Sequence, residues 1–178
     1  MQEKVSQADV VTNLVAQAEG QGVDLSHADL SGISWSELDI SGATIAMSLF
    51  RGASFAAPQA LNGCTWIGNR LEECRFESVD MAKAELLDCA FEGCTLQSPR
   101  LFRTDLSGTV FSSCRLVDVD FSQAAMIRTR FNRCSFVNVR LAGDLLVSGN
   151  GDFAFGPDGD PISSPPAAWT VDNDDPQA

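Results

Sequence analysis

A bulky apolar side chain stands at every fifth position of this chain from Leu25 to Leu146, with one single-residue slip between Phe55 and Leu61. An α-helix repeats its inward face about every 3.6 residues and a strand about every 2 residues, so neither element alone gives a period of five. With 44% apolar residues in the chain, chance would fill all of these positions only about once in a billion. The period therefore predicts a repeated backbone unit of five residues. The 25 positions, called centres below, are Leu25, Leu30, Trp35, Ile40, Ile45, Phe50, Phe55, Leu61, Trp66, Leu71, Phe76, Met81, Leu86, Phe91, Leu96, Leu101, Leu106, Phe111, Leu116, Phe121, Met126, Phe131, Phe136, Leu141 and Leu146.

The residue two places before a centre is usually small, and all six cysteines occupy this position. Small and large side chains can thus alternate into a narrow interior while the other three positions point outward. Packed, reduced thiols are the predicted state, although stacked units would bring successive Cα atoms to a distance that a disulfide tolerates. No Cys-x-x-Cys pair occurs, and the single histidine, His27, is far from the cysteines, so we expect no metal and no cofactor. The cysteines are Cys64, Cys74, Cys89, Cys94, Cys114 and Cys134.

The repeated unit resembles the pentapeptide-repeat family, whose pattern is A-(D/N)-L-x-x. The best copy is Ala28, Asp29 and Leu30 followed by Ser31 and Gly32, with near copies at residues 38–42 and 104–108. The resemblance implies an all-β solenoid in which four pentapeptides form one square coil and successive coils stack as a right-handed quadrilateral β-helix.

In such a fold, residues 20 apart lie above one another. Phe91, Phe111 and Phe131 would then form one aromatic stack, and a column of thiols would run parallel to it. The centres predict about six coils, and at a strand spacing of roughly 4.8 Å the rod would be about 30 Å long. We expect a stiff, quasi-one-dimensional rod. The predicted thiol column is Cys74, Cys94, Cys114 and Cys134.

The sequence divides into three segments. Residues 1–22 are predicted to form a cap helix that begins at a capping-box-like pair, Ser6 and Asp9, and covers the open edge of the first coil. Residues 23–146 are predicted to form the β-helix, with the register break at 56–61. Residues 147–178 form an acidic tail rich in Gly and Pro. The apolar face of the cap helix is predicted to comprise Val10, Val11, Leu14, Val15 and Ala18.

Residues 1–7 are mostly polar and lack the apolar core of a signal peptide, and no long apolar run occurs anywhere in the chain. This pattern predicts neither a signal peptide nor a membrane span, so we expect a cytoplasmic protein that does not bind a membrane.

Charge is unevenly distributed within the net value of −12. Residues 23–98 carry 11 acidic and 4 basic side chains, whereas residues 99–146 carry 4 acidic and 7 basic ones. A protein that imitates a DNA duplex along its length would be expected to stay acidic throughout, because duplex charge is evenly spaced. One column of alternating sign is predicted to pair internally: Asp80, Arg100, Asp120 and Arg140.

A second basic cluster, Arg128, Arg130 and Arg133, has no obvious partner in the sequence. It is a candidate surface for an acidic protein partner, with ordinary solvated surface as the alternative.

The tail contains apolar residues that could either cap the last coil or form a linear recognition motif. Capping is favoured for Phe153 and Phe155, and Trp169 is left open between the two. Residues 149–160 have a faint likeness to a calcium loop, but the spacing fits no standard site and turn chemistry explains their Asp residues.

The sequence carries no pattern of an enzyme: His27 has no companion nucleophile motif, and no glycine loop for phosphate occurs. We therefore expect a non-catalytic scaffold or adaptor for proteins that does not bind nucleic acid directly, as a monomer or an end-to-end dimer. Residues 15–20 and 23–26 look similar to pentapeptide modules that accompany bacterial type VI secretion accessory proteins. The alternative, also implied by the family resemblance, is a DNA-mimicking protein that binds DNA gyrase or another topoisomerase.

Overall fold

The structure, a computed structural model, describes residues 3–18, 25–35, 38–57, 61–141 and 145–155. Within these residues it has one α-helix, α1, which spans Gln7–Ala18. The other regular elements are β-strands, most of them three residues long. In chain order the strands are β1 Glu3–Lys4, β2 Ala28–Asp29, β3 Thr44–Ala46, β4 Leu49–Arg51, β5 Ser54–Ala56, β6 Thr65–Ile67, β7 Arg70–Glu72, β8 Arg75–Glu77, β9 Glu85–Leu87, β10 Ala90–Glu92, β11 Thr95–Gln97, β12 Val110–Ser112, β13 Arg115–Asp120, β14 Thr129–Leu141 and β15 Leu145–Phe155.

The strands pair in parallel, and in most ladders the partner residue lies 20 positions farther along the chain. Phe91 pairs with Phe111, and Phe111 pairs with Phe131. Parallel pairing at such a constant separation requires the chain to complete one closed coil between partners. The structure therefore confirms the predicted solenoid of parallel strands.

Each coil has four sides of five residues, so the rod has four faces. Face 1 carries the sheet β3-β6-β9, face 2 the ladder β2-β4-β7-β10-β12-β14, and face 3 the ladder β5-β8-β11-β13-β14. Face 4 is joined by an isolated parallel bridge between Asp80 and Arg100. The six strands of face 2 make five coil steps, close to the predicted number of about six coils. The described centres are Leu25, Ile45, Trp66, Leu86, Leu106 and Met126 on face 1; Leu30, Phe50, Leu71, Phe91, Phe111 and Phe131 on face 2; Trp35, Phe55, Phe76, Leu96, Leu116 and Phe136 on face 3; and Ile40, Leu61, Met81, Leu101 and Phe121 on face 4.

The interior is one continuous hydrophobic core. Every centre from Leu25 to Phe136 is buried, as are the six cysteines, none of which forms a disulfide. Phe91 and Phe111 stack with ring centroids 4.7 Å apart, and Phe111 and Phe131 stack at 4.8 Å. Burial of one large side chain per five residues supplies the main driving force for coil formation.

The corners of the coil explain two residue preferences. The residue two places after a centre turns the corner with a positive φ, and thirteen of these residues are not glycine. The repeat's Asp, one place before a centre, accepts a hydrogen bond from the backbone N–H two residues later. Asp29 accepts from Ser31 at 3.0 Å, and Asp105 accepts from Ser107 at 2.9 Å. Such Asx turns favour the corner conformation locally.

The coil lengthens once along the rod. Asp29 pairs with Leu49, a separation of 20, but Leu49 pairs with Arg70, a separation of 21. Faces 1 and 3 show the same 21-residue step at β3-β6 and β5-β8. Later ladders up to β14 return to 20, so one extra residue is accommodated within a single coil.

The N-terminal segment lies against the first coil. Ser6 and Asp9 cap α1 reciprocally: the Ser6 hydroxyl donates to Asp9 Oδ2 at 2.5 Å, and the Asp9 N–H donates to Ser6 Oγ at 3.2 Å. Val10 is fully buried in the core, and β1 adds a short parallel strand to β2. Val11, predicted to lie on the buried face of the helix, is instead 39% exposed.

At the other end, β15 pairs with β14 in a shorter register. Leu145 lies beside Thr129, a separation of 16, and Phe153 lies beside Val139, a separation of 14. Leu146, predicted as the last centre, is consequently level with Arg130 rather than with a centre, while Val147 is level with Phe131. The parallel pairing thus extends to Phe155, nine residues beyond the predicted end of the β-helix.

Candidate interaction surface

The outward positions of the coils carry the charged side chains, and many of them are paired. On face 2, Arg70 contacts Glu72 at 2.7 Å and Glu92 at 3.0 Å, and Arg51 contacts Glu72 at 2.6 Å. On face 4, Arg100 contacts Asp80 at 2.9 Å. The arginine side chains are largely exposed, although Glu72 is only 16% exposed, so each pair contributes about 1 kcal/mol or less to stability.

The predicted alternating column on face 4 separates into two contacts. Besides the Arg100 to Asp80 pair, Arg140 lies 3.8 Å from Asp120, and their backbones are in register in β13 and β14. Because both arginines contact acids one coil below, they offer less free charge to a partner than the sequence count suggests.

The structure brings the predicted cluster of Arg128, Arg130 and Arg133 into one row across face 2 of a single coil. Arg128 and Arg133 occupy the two corners, with φ of 58° and 54°, and Arg130 lies between them in β14. All three side chains are exposed. The residues one coil below are Gly108, Val110 and Ser113, none of which is charged. The row therefore lies above a coil whose corresponding residues are uncharged, near the C-terminal end of the rod.

The tail residues are placed only in part. The backbones of Phe153 and Phe155 pair with Val139 and Leu141, which lays this segment along the last coil. Trp169 lies outside the described residues.

The thiol column lies inside face 3. Each Sγ–H of this column donates to the carbonyl oxygen of a face 2 centre 23 or 24 residues earlier; Cys94, for example, donates to Leu71 O at 3.3 Å. Hydrogen bonding to the neighbouring thiol, together with burial, raises the pKa of Cys74 above its ordinary value. At the end of the column, the hydrogen bond with Cys114 lowers the pKa of Cys134. Because all these thiols are buried, the column serves packing rather than reactivity.

His27 stands exposed at a corner of the first coil, with a φ of 60°. Among the described residues, no group of three or more His, Cys, Asp or Glu side chains is arranged to hold a metal ion. The same part of the chain contains no helix with the length and apolarity of a bilayer span.

Two features of the structure were not predicted from the sequence. Asn69 occupies an inner position meant for a small residue and is fully buried; its Nδ2 donates to Ile45 O at 2.8 Å, and its Oδ1 accepts from the Ser48 N–H at 2.8 Å. The second feature is an apolar strip on the outside of face 1. A comparison of outward residues 20 apart would have revealed it.

This architecture, a four-sided coil of parallel strands repeated every 20 residues, places the protein in the class of β-solenoids. Two family models agree with it: "pentapeptide repeats (8 copies)" matches residues 21–55, and "pentapeptide repeat region" matches residues 64–148. The chain belongs to the pentapeptide-repeat family.

Solved structures with similar folds include QnrB1 and HetL. Trypsin-treated QnrB1, a plasmid-mediated fluoroquinolone resistance protein, is 13% identical over 87% of this chain and 89% of its own, with a TM-score of 0.41. HetL, involved in heterocyst differentiation regulation in the cyanobacterium Nostoc sp. strain PCC 7120, is 16% identical over 83% of this chain and 79% of its own, with a TM-score of 0.40. A comparison with curated proteins gives no significant match.

Proposed function

We propose that this protein is a non-catalytic scaffold that binds an acidic protein partner through the row Arg128, Arg130 and Arg133. The observation that carries the proposal is the arrangement of this row: three exposed arginine side chains are aligned across one coil. Arginine presents several donors in a planar fork and suits recognition of carboxylates on a partner.

Rigidity supports this reading. The interior consists of stacked, buried side chains, and the backbone ladders hold each outward position relative to the next. A rigid surface binds without a costly rearrangement, so specificity comes from the fixed charge pattern. The long-range field of the row would also raise the rate of encounter with an acidic partner.

We further propose a cytoplasmic location and a monomer or end-to-end dimer. Six buried, unpaired cysteines suit a reducing compartment. A role as an accessory of bacterial type VI secretion is the finer form of this proposal, and it rests on the likeness of residues 15–20 and 23–26 described above.

The second candidate is a DNA-mimicking protein that binds a topoisomerase. The acidity of residues 23–98, with 11 acidic and 4 basic side chains, favours it. The change of sign in residues 99–146, with 4 acidic and 7 basic side chains, opposes it. Part of the acidic charge is also balanced within face 2 by Arg51 and Arg70.

The test is quantitative affinity purification with three proteins: wild type, a triple variant with Arg128→Glu, Arg130→Glu and Arg133→Glu, and a control. The control carries Arg75→Glu, Arg103→Glu and Arg115→Glu, which are exposed arginines elsewhere with the same change in net charge. Glutamate fits the corner conformation, because Glu73 already adopts it with a φ of 55°. Both variants should therefore fold.

We expect the stoichiometric partner to be lost from the test variant and retained by the control. Equal retention by both variants would reject the arginine row as the binding site. Loss of the partner from both variants would indicate that binding depends on net charge and not on the arginine row. Recovery of a topoisomerase subunit that DNA displaces would favour the second candidate, and recovery of a secretion component would favour the accessory role.

A further inference from the structure

An apolar strip runs along the outside of face 1. It is formed by the residue one place after each centre, on coils that the sheet β3-β6-β9 holds in register: Ala46 pairs with Ile67, and Ile67 with Leu87. Two coils farther, Ile127 continues the same column and is 59% exposed. Met47, beside the start of the strip, is 50% exposed. The strip consists of Ala46, Met47, Ile67, Leu87 and Ile127.

The fold does not require these residues to be apolar. They lie at outward positions, where the repeat accepts polar residues, and two members of the same column are Ser26 and Ser107. Met47 and Ile127 are exposed, and Ile67 and Leu87 are half-buried, so the strip presents partly exposed apolar surface of the kind typical of a binding site.

Acidic residues border the strip on both long sides. Glu85 and Asp105 lie on neighbouring coils along one side, and Asp88 lies at the corner on the other side, directly after Leu87. Lys83 and Arg103 belong to the corner with face 4, one column farther away. The charge next to the apolar surface is therefore negative beside Leu87, whereas Arg128, directly after Ile127, makes the far end basic.

This border excludes several occupants by charge. A second copy related by a two-fold axis through Leu87 would bring Glu85 and Asp88 of one copy close to the same acidic residues of the other. Like charges across an interface repel each other. Anionic lipid and nucleic acid are repelled for the same reason. Residues 156–178 of this chain contain five Asp and no basic residue, so they are unsuited as well.

We propose that the strip binds a basic amphipathic helix of a partner protein, with apolar side chains on one face and Lys or Arg at its edges. The strip spans four coil steps, roughly 19 Å at the usual strand spacing. A helix of about 13 residues covers that length, and its pitch of about 5.4 Å approximates the spacing of the coils. The strip lies on face 1 and the arginine row lies across face 2, and the two adjoin only where Arg128 follows Ile127, so the protein would hold two partner segments of opposite charge.

The test uses a fluorescein-labelled peptide of about 16 residues whose helix has a Leu face and Lys elsewhere. Two control peptides carry the same residues in scrambled order, or Glu in place of Lys. Binding is measured by fluorescence polarisation at low and physiological salt. Arg128, which follows Ile127, is left unchanged in every variant, so no charge of the arginine row changes in the test.

The disruptive variant carries Leu87→Ser and Ile127→Ser. Serine is compatible with this column, because Ser107 already occupies it. Its matched control carries Val117→Ser and Val137→Ser, which occupy the same repeat position on face 3. Each pair combines one half-buried and one exposed side chain. A charge-swap variant carries Glu85→Lys and Asp88→Lys; lysine fits the corner, since Lys83 adopts a φ of 59°.

We expect the Leu/Lys helix to bind the wild type and the face 3 control equally, and the disruptive variant about tenfold more weakly. The charge-swap variant should lose this peptide and gain the Leu/Glu helix. Equal binding by the wild type and the disruptive variant, or equal binding of the scrambled peptide, would overturn the proposal. Concentration-dependent dimerisation that Leu87→Ser abolishes, or binding to anionic vesicles, would overturn it in favour of those occupants. Because the peptide assay does not involve Arg130 or Arg133, its outcome does not depend on the proposed acidic partner.

Discussion

Replacing Phe111 by alanine should be the most damaging single truncation in the middle of the rod. Phe111 is fully buried between Phe91 at 4.7 Å and Phe131 at 4.8 Å, and its ring also meets Phe121 edge-on at 6.4 Å. Burial in a core that cannot collapse puts the cost of Phe→Ala at about 3–5 kcal/mol. A continuous stack of rings leaves few ways to refill the gap, so we expect a value in the upper part of that range.

Two further variants separate the contributions to this value. Phe111→Leu keeps much of the apolar volume and reproduces Leu71, which already stands in the same column. It removes two stacked ring pairs, each contributing about 0.5–1.5 kcal/mol beyond burial, so we expect a loss of about 1–3 kcal/mol. Phe102→Ala removes a ring that is 38% exposed beneath Arg103 and should cost less than about 1 kcal/mol.

The assay is equilibrium unfolding in urea, followed by far-UV circular dichroism and by tryptophan fluorescence. Coincident transitions from the two signals establish a single cooperative unit, which a free energy of unfolding requires. A loss below about 1 kcal/mol for Phe111→Ala, or a loss equal to that of Phe102→Ala, would refute the stacked core as the source of stability.

Two further predictions concern the interior. Burial raises the pKa of Cys64 and of Cys89 to about 12 from an ordinary value of 9.0. The protonated thiols are thus favoured in the folded state, and their contribution to stability is complete below pH 9 and is lost as the pH rises towards 12, by about 1.4 kcal/mol per thiol and pH unit. Urea unfolding between pH 8 and about pH 10.5 should show a steeper loss for the wild type than for a variant with Cys64→Ala and Cys89→Ala, and equal slopes would contradict this. Asn69→Ala should cost about 2–4 kcal/mol in the same assay, because it leaves the Ile45 carbonyl and the Ser48 N–H buried without their partner; the exposed control Asn62→Ala should change stability by less than about 0.5 kcal/mol. A loss no larger than that of the control would show that these two backbone groups find other partners.

The fold was predictable from the sequence because burial alone specifies most of it. Leu25, Phe91 and Phe136 belong to one five-residue period, and each side chain of that period must enter the same narrow interior. The separation of 20 between paired residues followed from the same periodicity and the family resemblance.

What the sequence did not predict depends on contacts outside the repeat. Val11 is exposed because the helix turns only a narrow face, centred on Val10, towards the first coil. Asn69 lies on the 21-residue step, where its amide bonds both the Ile45 carbonyl and the Ser48 N–H of the coil below, a double contact that the repeat pattern does not encode. The pairing of β15 at separations from 16 to 14 follows no period in the sequence and so left no signal.

The candidate surfaces were predictable only where the residues that form them are also close together in the sequence. The cluster of Arg128, Arg130 and Arg133 was visible as a count of basic residues, but its alignment across one side of a coil required the structure. The strip on face 1 gave no local signal, because Ile67 and Leu87 are 20 residues apart and each is a single apolar residue next to the centre of its own repeat.

The constant separation of 20 residues between paired strands also bears on how this chain reaches its native state. Most contacts that hold a coil join residues separated by about one ninth of the 178-residue chain. A relative contact order near this value, about 0.11, is typical of helical proteins that fold rapidly rather than of β-sandwiches. Once one coil has formed, the next requires only the following 20 residues. During synthesis, the rod can therefore grow as each successive coil leaves the ribosome, long before the C-terminal end of the chain has been made.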